Sequence, residues 1–344
     1  MPNSKMLFIR NYESFQEGKN EESIEFEVIV DAHIIGVLKS DLYCLNIWDF
    51  GYFEEGEERK LCLKIKSNRL NSHERPETSR NGYYHGGDIA DEIVALSSLF
   101  LRRKIKLSSI VRRNDIPMRF SHSNEWIDRP LICGESNLEM LTEWFDLIKG
   151  LKQDLHQKFI LASRLYHRAI LLIEDEPDLA YLNLVSSIEV LCQDTDIGNV
   201  TLADVDLELA KLVNSLDVSV RQNIEEKILK REKFIKRKFV KFILDHVEDS
   251  FWSEERPQYG KIEADRLAEY LGRIYKQRSK TLHNGEPFPP SIHKPPLHDC
   301  EIDFSLGVSV GERRWEPQDF IPHPHFFERL INHVLKVYLK KNVE

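Results

Sequence analysis

The hydrophobic period of the chain changes once, near residue 138, and that change divides what the sequence can fold into. Before it, apolar and polar residues alternate. Over 23–38, Ile24, Phe26, Val28 and Val30 fall on one face and Glu25, Glu27 and Asp31 on the other, the period of two that a half-buried strand requires. Leu61, Leu63 and Ile65 alternate in the same way with Lys60, Lys64 and Lys66, after an acidic turn at 54–58. Residues 68–87, with Pro76, Gly86 and Gly87, read as an exposed loop. Asp88 then caps a helix in which Ile89, Ile93, Leu96 and Phe100 recur at helical spacing, between acidic Asp91 and Glu92 and basic Arg102, Arg103 and Lys104. After residue 138 the alternation is gone except near 302–310. Helices are expected over 138–174, broken near Gly150, and over 178–194, 203–214, 219–251, 262–283 and 324–341. The expected fold class is an α+β N-terminal domain, residues 1–140, followed by an all-α helical bundle, residues 141–344.

Length and composition agree with that division. The 344 residues, 41% hydrophobic and 31% charged, suffice for two domains with their own cores and do not have a disordered composition. The five cysteines, Cys44, Cys62, Cys133, Cys192 and Cys300, are odd in number and lack C-x-x-C spacing. They read as reduced thiols in a cytosol. Residues 1–10 hold no long apolar stretch, and no run nears the length of a membrane span, so a cytoplasmic protein without a membrane partner is expected. The net charge of −9 argues against coating nucleic acid through bulk positive charge. No P-loop, dinucleotide fingerprint or nucleophile motif is present, and no cofactor is expected.

The segment 274–285 carries the chemistry. It ends a helix with Arg278 and His283, four residues between them, and stops at Asn284 and Gly285 before Pro287. Gly285 suits the left-handed closing position, and the helix C-terminus favours a protonated imidazole at His283. RNA cleavage without a metal needs a base for the 2'-hydroxyl, an acid for the leaving 5'-oxygen and a fixed cation for the phosphorane. Histidine, with an ordinary pKa of about 6.5, supplies either proton role, and arginine's planar fork matches two phosphate oxygens. One copy is half a site, and two copies across a two-fold axis complete it. Residues five apart on an ideal helix of about 3.6 residues per turn point roughly 140° apart, so convergence falls to the loosened helix end or to a partner subunit. Arg80 and His85 repeat the spacing without a helix to stand on.

In its frame, the Arg278-x4-His283 motif resembles the HEPN superfamily, in particular its Apea-like branch. The residues from Tyr275 to Ser279 leading into Leu282 and His283 are similar to that branch's catalytic helix, 181–191 to an earlier helix, and 236–244 to one between them. The resemblance covers about residues 150–341. It implies a helical bundle, a homodimer and, in many members, endoribonuclease activity in antiviral defence or toxin systems, with Arg278 and His283 at the matching positions. Ser279 stands where the wider superfamily often has asparagine. Asn284 stands where the Apea-like pattern tends to place glycine, and no tyrosine follows two positions after His283.

Glu189, among Ile188, Val190 and Leu191, requires a partner if it faces the core. Arg278 is the expected one, and an outward-facing glutamate is the alternative. Between Lys227 and Lys241, eight basic residues and one acid interleave with Phe234, Ile235, Phe239 and Val240. Lys230, Arg231, Lys236, Arg237, Lys238 and Lys241 are the expected contacts to an RNA backbone, against a merely solvated face. The basic stretch 102–119 admits the same two readings. Arg164, His167 and Arg168 share a helix face read as its wet side. His293, His298 and Cys300 in the proline-rich 286–322 loop, and His323 and His325 directly after it, have spacings that fit no common zinc module, and no metal is expected. Two functions stay open: a homodimeric, metal-independent endoribonuclease, and a non-catalytic module holding RNA, a nucleotide or a protein. A protein or phage-derived trigger is an expected partner in the first.

Overall fold

The computed structural model describes residues 8, 9, 13, 15, 21–47, 60–68, 89–117, 127, 129–231 and 234–343. The expected turn at 54–58, the loop after residue 68, the Asp88 cap and the Arg80, His85 pair lie outside them.

The N-terminal part is a six-stranded sheet. Its strands are β1 (Glu21–Val30), β3 (Val37–Lys39), β4 (Tyr43–Ile47), β5 (Lys60–Asn68), β6 (Ile105–Arg113) and β7 (Ile116–Pro117), in spatial order β3-β4-β5-β1-β6-β7 with antiparallel neighbours. A separate parallel pair joins β2 (Ile34–Ile35) to β8 (Ser136–Asn137). As the central strand, β1 buries Phe26, Val28 and Val30 on one face. Its other face is not open to water as simple alternation implies, because the neighbouring strands cover it with paired charges. Glu25 meets Lys64 at 3.1 Å and Arg112 at 3.4 Å, and Glu27 meets Lys60 at 3.7 Å.

Helix α1 (Ile89–Leu101) is buried on nearly every side. It lies between the sheet, through β6, and the helical half, through α2 (Met140–Lys149), α3 (Gln153–Leu172) and α11 (Pro324–Lys341). A helix buried on all sides belongs to the core even with Glu92, Ser97 and Ser98 inside it, and buried side chains run continuously from the sheet through α1 into the bundle. Three cations just past α1, Arg102, Arg103 and Lys104, seal this junction, which corrects the reading of these three as an RNA track or solvated face, while Lys106 and Arg113 further along are exposed. Arg102 donates to Glu328 from Nε at 3.1 Å and Nη2 at 2.6 Å. Arg103 is buried among the Ile132 and Gly134 carbonyls and the Ser136 hydroxyl, and Lys104 reaches Glu174 at 2.7 Å. Their acceptors lie far along the chain, so local sequence carries no sign of them. Arg119 is outside the described residues.

The C-terminal part is mostly helical. Gly150 closes α2, as expected, and α3 is followed by α4 (Pro177–Leu191), α5 (Leu202–Val205), α6 (Leu207–Asn214) and α7 (Val218–Arg231). Next come α8 (Ile235–His246), α9 (Asp249–Trp252), α10 (Leu267–Asn284) and α11. The single helix expected over 219–251 is three, because Phe234 takes the left-handed conformation at φ +49° and Val247 is extended. Five helices, α3, α4, α8, α10 and α11, pack together as the bundle that positions the site. His167 is not on a wet face. Its Nε2 lies 2.6 Å from the Ile105 carbonyl on β6, and burial lowers its pKa. The 302–310 stretch yields β9 (Val308–Val310), paired with β10 (Arg313–Trp315). No helix among the described residues is long and apolar enough to cross a membrane.

Candidate functional site

Helix α10 buries Leu267, Tyr270, Leu271, Ile274 and Gln277 at the three-and-four spacing of an amphipathic helix. This face packs on α4 and α8 and sets the direction of the polar residues beside it. Arg278 turns toward α4, where its Nη2 donates to Glu189 Oε2 at 2.8 Å. The other oxygen, Oε1, accepts the Tyr275 hydroxyl at 2.8 Å. One carboxylate thus holds two side chains one turn apart on α10. The pair is largely shielded, with 20% of the Arg278 side chain and 16% of Glu189 exposed, where hydrogen bonds to charge are stronger than on an open surface. The Arg278 guanidinium also lies 5.7 Å from the Tyr275 ring centre, whose flank is covered by Phe239 at 5.3 Å.

Burial raises the pKa of the Tyr275 phenol, and the neighbouring Glu189 carboxylate raises it further. Burial likewise pushes the Cys192 thiol, at the end of α4, up to about 12, again with a contribution from Glu189. Neither group is a nucleophile near neutral pH. Arg278 Nε is buried without a hydrogen-bond partner among the described residues, so the guanidinium is held along one edge. Sequence reasoning paired Glu189 with Arg278 from the apolar neighbours of Glu189. It missed Tyr275, for which the only available signal is its position one turn before Arg278.

His283 stands apart from this cluster. It is exposed in the last turn of α10 and makes no hydrogen bond to a described residue. The turn is closed as expected, with Gly285 at φ +69° and its N–H donating to the Thr281 carbonyl at 3.1 Å. Below His283, Thr281 Oγ1 donates to the Glu286 carbonyl at 2.7 Å, and Gln277 Nε2 donates to the Pro287 carbonyl at 2.8 Å. Arg313 from β10 fastens Glu286 at 3.1 Å. The helix end is therefore rigid beneath an unpartnered imidazole. Ser279 is half-buried beside Arg278 and makes no hydrogen bond to a described residue.

The expected backbone contacts on α8 separate. Arg237 donates to the Asp204 carbonyl, Lys238 to the Gln193 carbonyl at 2.6 Å, and Lys241 pairs with Asp245 at 2.8 Å. Lys236 is exposed and unpaired among the described residues, while the side chains of Lys230 and Arg231 lie outside them. At the start of α11, His323 and His325 stack at 6.0 Å, and burial lowers the pKa of both. Among the described residues no group of three or more histidine, cysteine or acidic side chains is arranged to hold a metal ion.

Against this geometry, no family model, no curated protein and no solved structure matches the chain.

Proposed function

We propose that the chain is a metal-independent endoribonuclease of the HEPN type, working as a homodimer in a defence or toxin system. The observation that carries this reading is the end of α10. There an exposed imidazole, His283, without a partner among the described residues, follows by five positions an arginine that Glu189 holds along one edge, beside the Tyr275 ring. In the reaction, His283 moves a proton, either from the 2'-hydroxyl or to the leaving 5'-oxygen, and Arg278 neutralises the phosphorane oxygens. Two-fold pairing of the α10 ends brings a second His283 and Arg278 to the same phosphodiester, so that one imidazole acts as base and the other as acid. Ser279 adds a polar group beside Arg278.

The test uses the purified chain on RNA in EDTA. Cleavage persists without divalent metal, leaves 2',3'-cyclic phosphate ends and disappears in His283→Ala with an unchanged circular dichroism spectrum. A requirement for added metal refutes the proposal.

The Arg278–Glu189 pairing favours a second reading, because an arginine engaged within its own chain also suits a purely architectural ion pair. The chain is then a non-catalytic HEPN module that holds RNA, a nucleotide or a protein partner. It binds without turnover, and His283→Gln leaves its phenotype unchanged.

A further inference from the structure

Between α8 and α10 lies an open groove of about 1230 Å³. Its floor is apolar, formed by Ile235, Val240 and Leu244 on α8 and by Ala268, Gly272 and Tyr275 on α10. Leu244 is 41% exposed to water. Gly272 sits in the middle of α10, where glycine disfavours a helix, and its missing side chain keeps the floor open. The nearest atom to a Cβ placed there is Lys236 Cε, at 3.6 Å. Charges line the rims. Lys241 pairs with Asp245 and Arg273 with Glu269, each along its own helix, and Arg237 is taken by the Asp204 carbonyl. Lys236 and Lys276 are exposed and have no acidic partner among the described residues.

We propose that this groove seats an acidic amphipathic helix of a partner protein, apolar face on the floor and carboxylates toward Lys236 and Lys276. Charge complementarity carries the assignment. On a chain of net charge −9, two unpaired ammonium groups flank an exposed apolar trough, the chemistry that receives the apolar stripe and acidic shoulders of such a helix. RNA suits the groove less well. A sugar-phosphate backbone has no apolar face to cover Ile235, Val240 and Leu244 on the floor, and three of the five rim cations already have partners. The Tyr275 ring already has Phe239 at 5.3 Å and Arg278 at 5.7 Å beside it. The 12 residues of α8 span roughly 18 Å at about 1.5 Å per residue, matching about three turns of a seated helix. Tyr275 both lines this groove and hydrogen-bonds Glu189, so an occupant touches the residue that helps hold Arg278. The proposal rests on the groove and stands or falls independently of RNA cleavage.

The test is fluorescence anisotropy on the full chain with stapled helical peptides of roughly twelve residues, matched to α8 at about 1.5 Å per residue. One carries a leucine stripe flanked by glutamates, a second replaces the glutamates by lysine, and a third replaces the leucines by serine. The glutamate peptide binds at least about tenfold more tightly than either control. Gly272→Met fills the trough while raising helix propensity, so the variant folds, and it weakens the glutamate peptide by about tenfold. Lys236→Glu combined with Lys276→Glu reverses the preference toward the lysine peptide. Equal affinity for the two charged peptides, or unchanged binding in Gly272→Met, overturns the proposal. Displacement of the glutamate peptide by a single-stranded oligoribonucleotide of unrelated sequence also overturns it and assigns the surface to RNA.

Discussion

Removing the charge of Glu189 tests whether the cluster on α10 is held electrostatically. Glu189→Gln preserves the shape of the side chain and the acceptor for Tyr275, but it presents Arg278 with a neutral group. Opposite charges about 4 Å apart attract by about 4 kcal/mol at an effective dielectric constant of about 20. Ordering the long arginine side chain and desolvating both groups offset roughly half of that. What remains, about 2 kcal/mol, lies within the range for hydrogen bonds to charged groups. The bond is 2.8 Å long and both side chains are at least four-fifths shielded, at 20% and 16% exposure, so the full discount for a surface pair does not apply. The assay is a double-mutant cycle of Glu189→Gln and Arg278→Met, by urea denaturation followed by circular dichroism. The expected coupling is about 2 kcal/mol, and about 0.5 M sodium chloride leaves most of it in place, because shielded pairs are weakly screened. A coupling below about 0.5 kcal/mol, or one abolished by salt, refutes the reasoning and makes the pair an ordinary surface contact.

Other expectations follow from the same kind of argument. Glu328 is fully buried and takes Arg102 and the Tyr166 hydroxyl, so Glu328→Ala strands a cation at the junction and lowers stability by about 3–5 kcal/mol, measured as a shift in urea midpoint. His323 is buried, with Nδ1 lacking a hydrogen-bond partner among the described residues, and burial and then neighbouring His325 lower its pKa to about 4. The unfolded chain binds this proton first, so the His323 contribution is complete above pH about 6.5 and declines as pH falls toward about 4, by about 2–3 kcal/mol. Urea midpoints at neutral and acid pH, compared with His323→Phe, should show a flatter acid limb in the variant. Gly285→Ala puts a Cβ at φ +69°, costs about 1 kcal/mol and raises amide exchange in the turn that carries His283.

Much of the helical half was legible because its signals are local. Gly150 ends α2 and Gly285 ends α10 at positions where glycine closes a turn, and Pro177 and Pro324 stand at helix starts. Strand β5 follows its alternation, with Leu61, Leu63 and Ile65 buried between half-buried Lys60, Cys62 and Lys64. Phe234 escaped notice because an aromatic residue in the left-handed region has no local signature. At the start of the 102–119 stretch charge density was read as exposure, whereas Arg102, Arg103 and Lys104 each find an internal acceptor.

By itself, then, the sequence determined that a strand-rich part precedes a helical one, where several helices stop, and that an arginine and a histidine end one helix. Those properties depend on neighbours a few residues away, through backbone geometry and the period of apolar side chains. Only the tertiary structure decided that Arg278 is fastened to a carboxylate 89 positions earlier, that Tyr275 shares that carboxylate, and that Arg102 is sealed against Glu328, 226 positions away. The physical reason is that a buried charge is defined by the partner that compensates it, and packing, not spacing, chooses that partner.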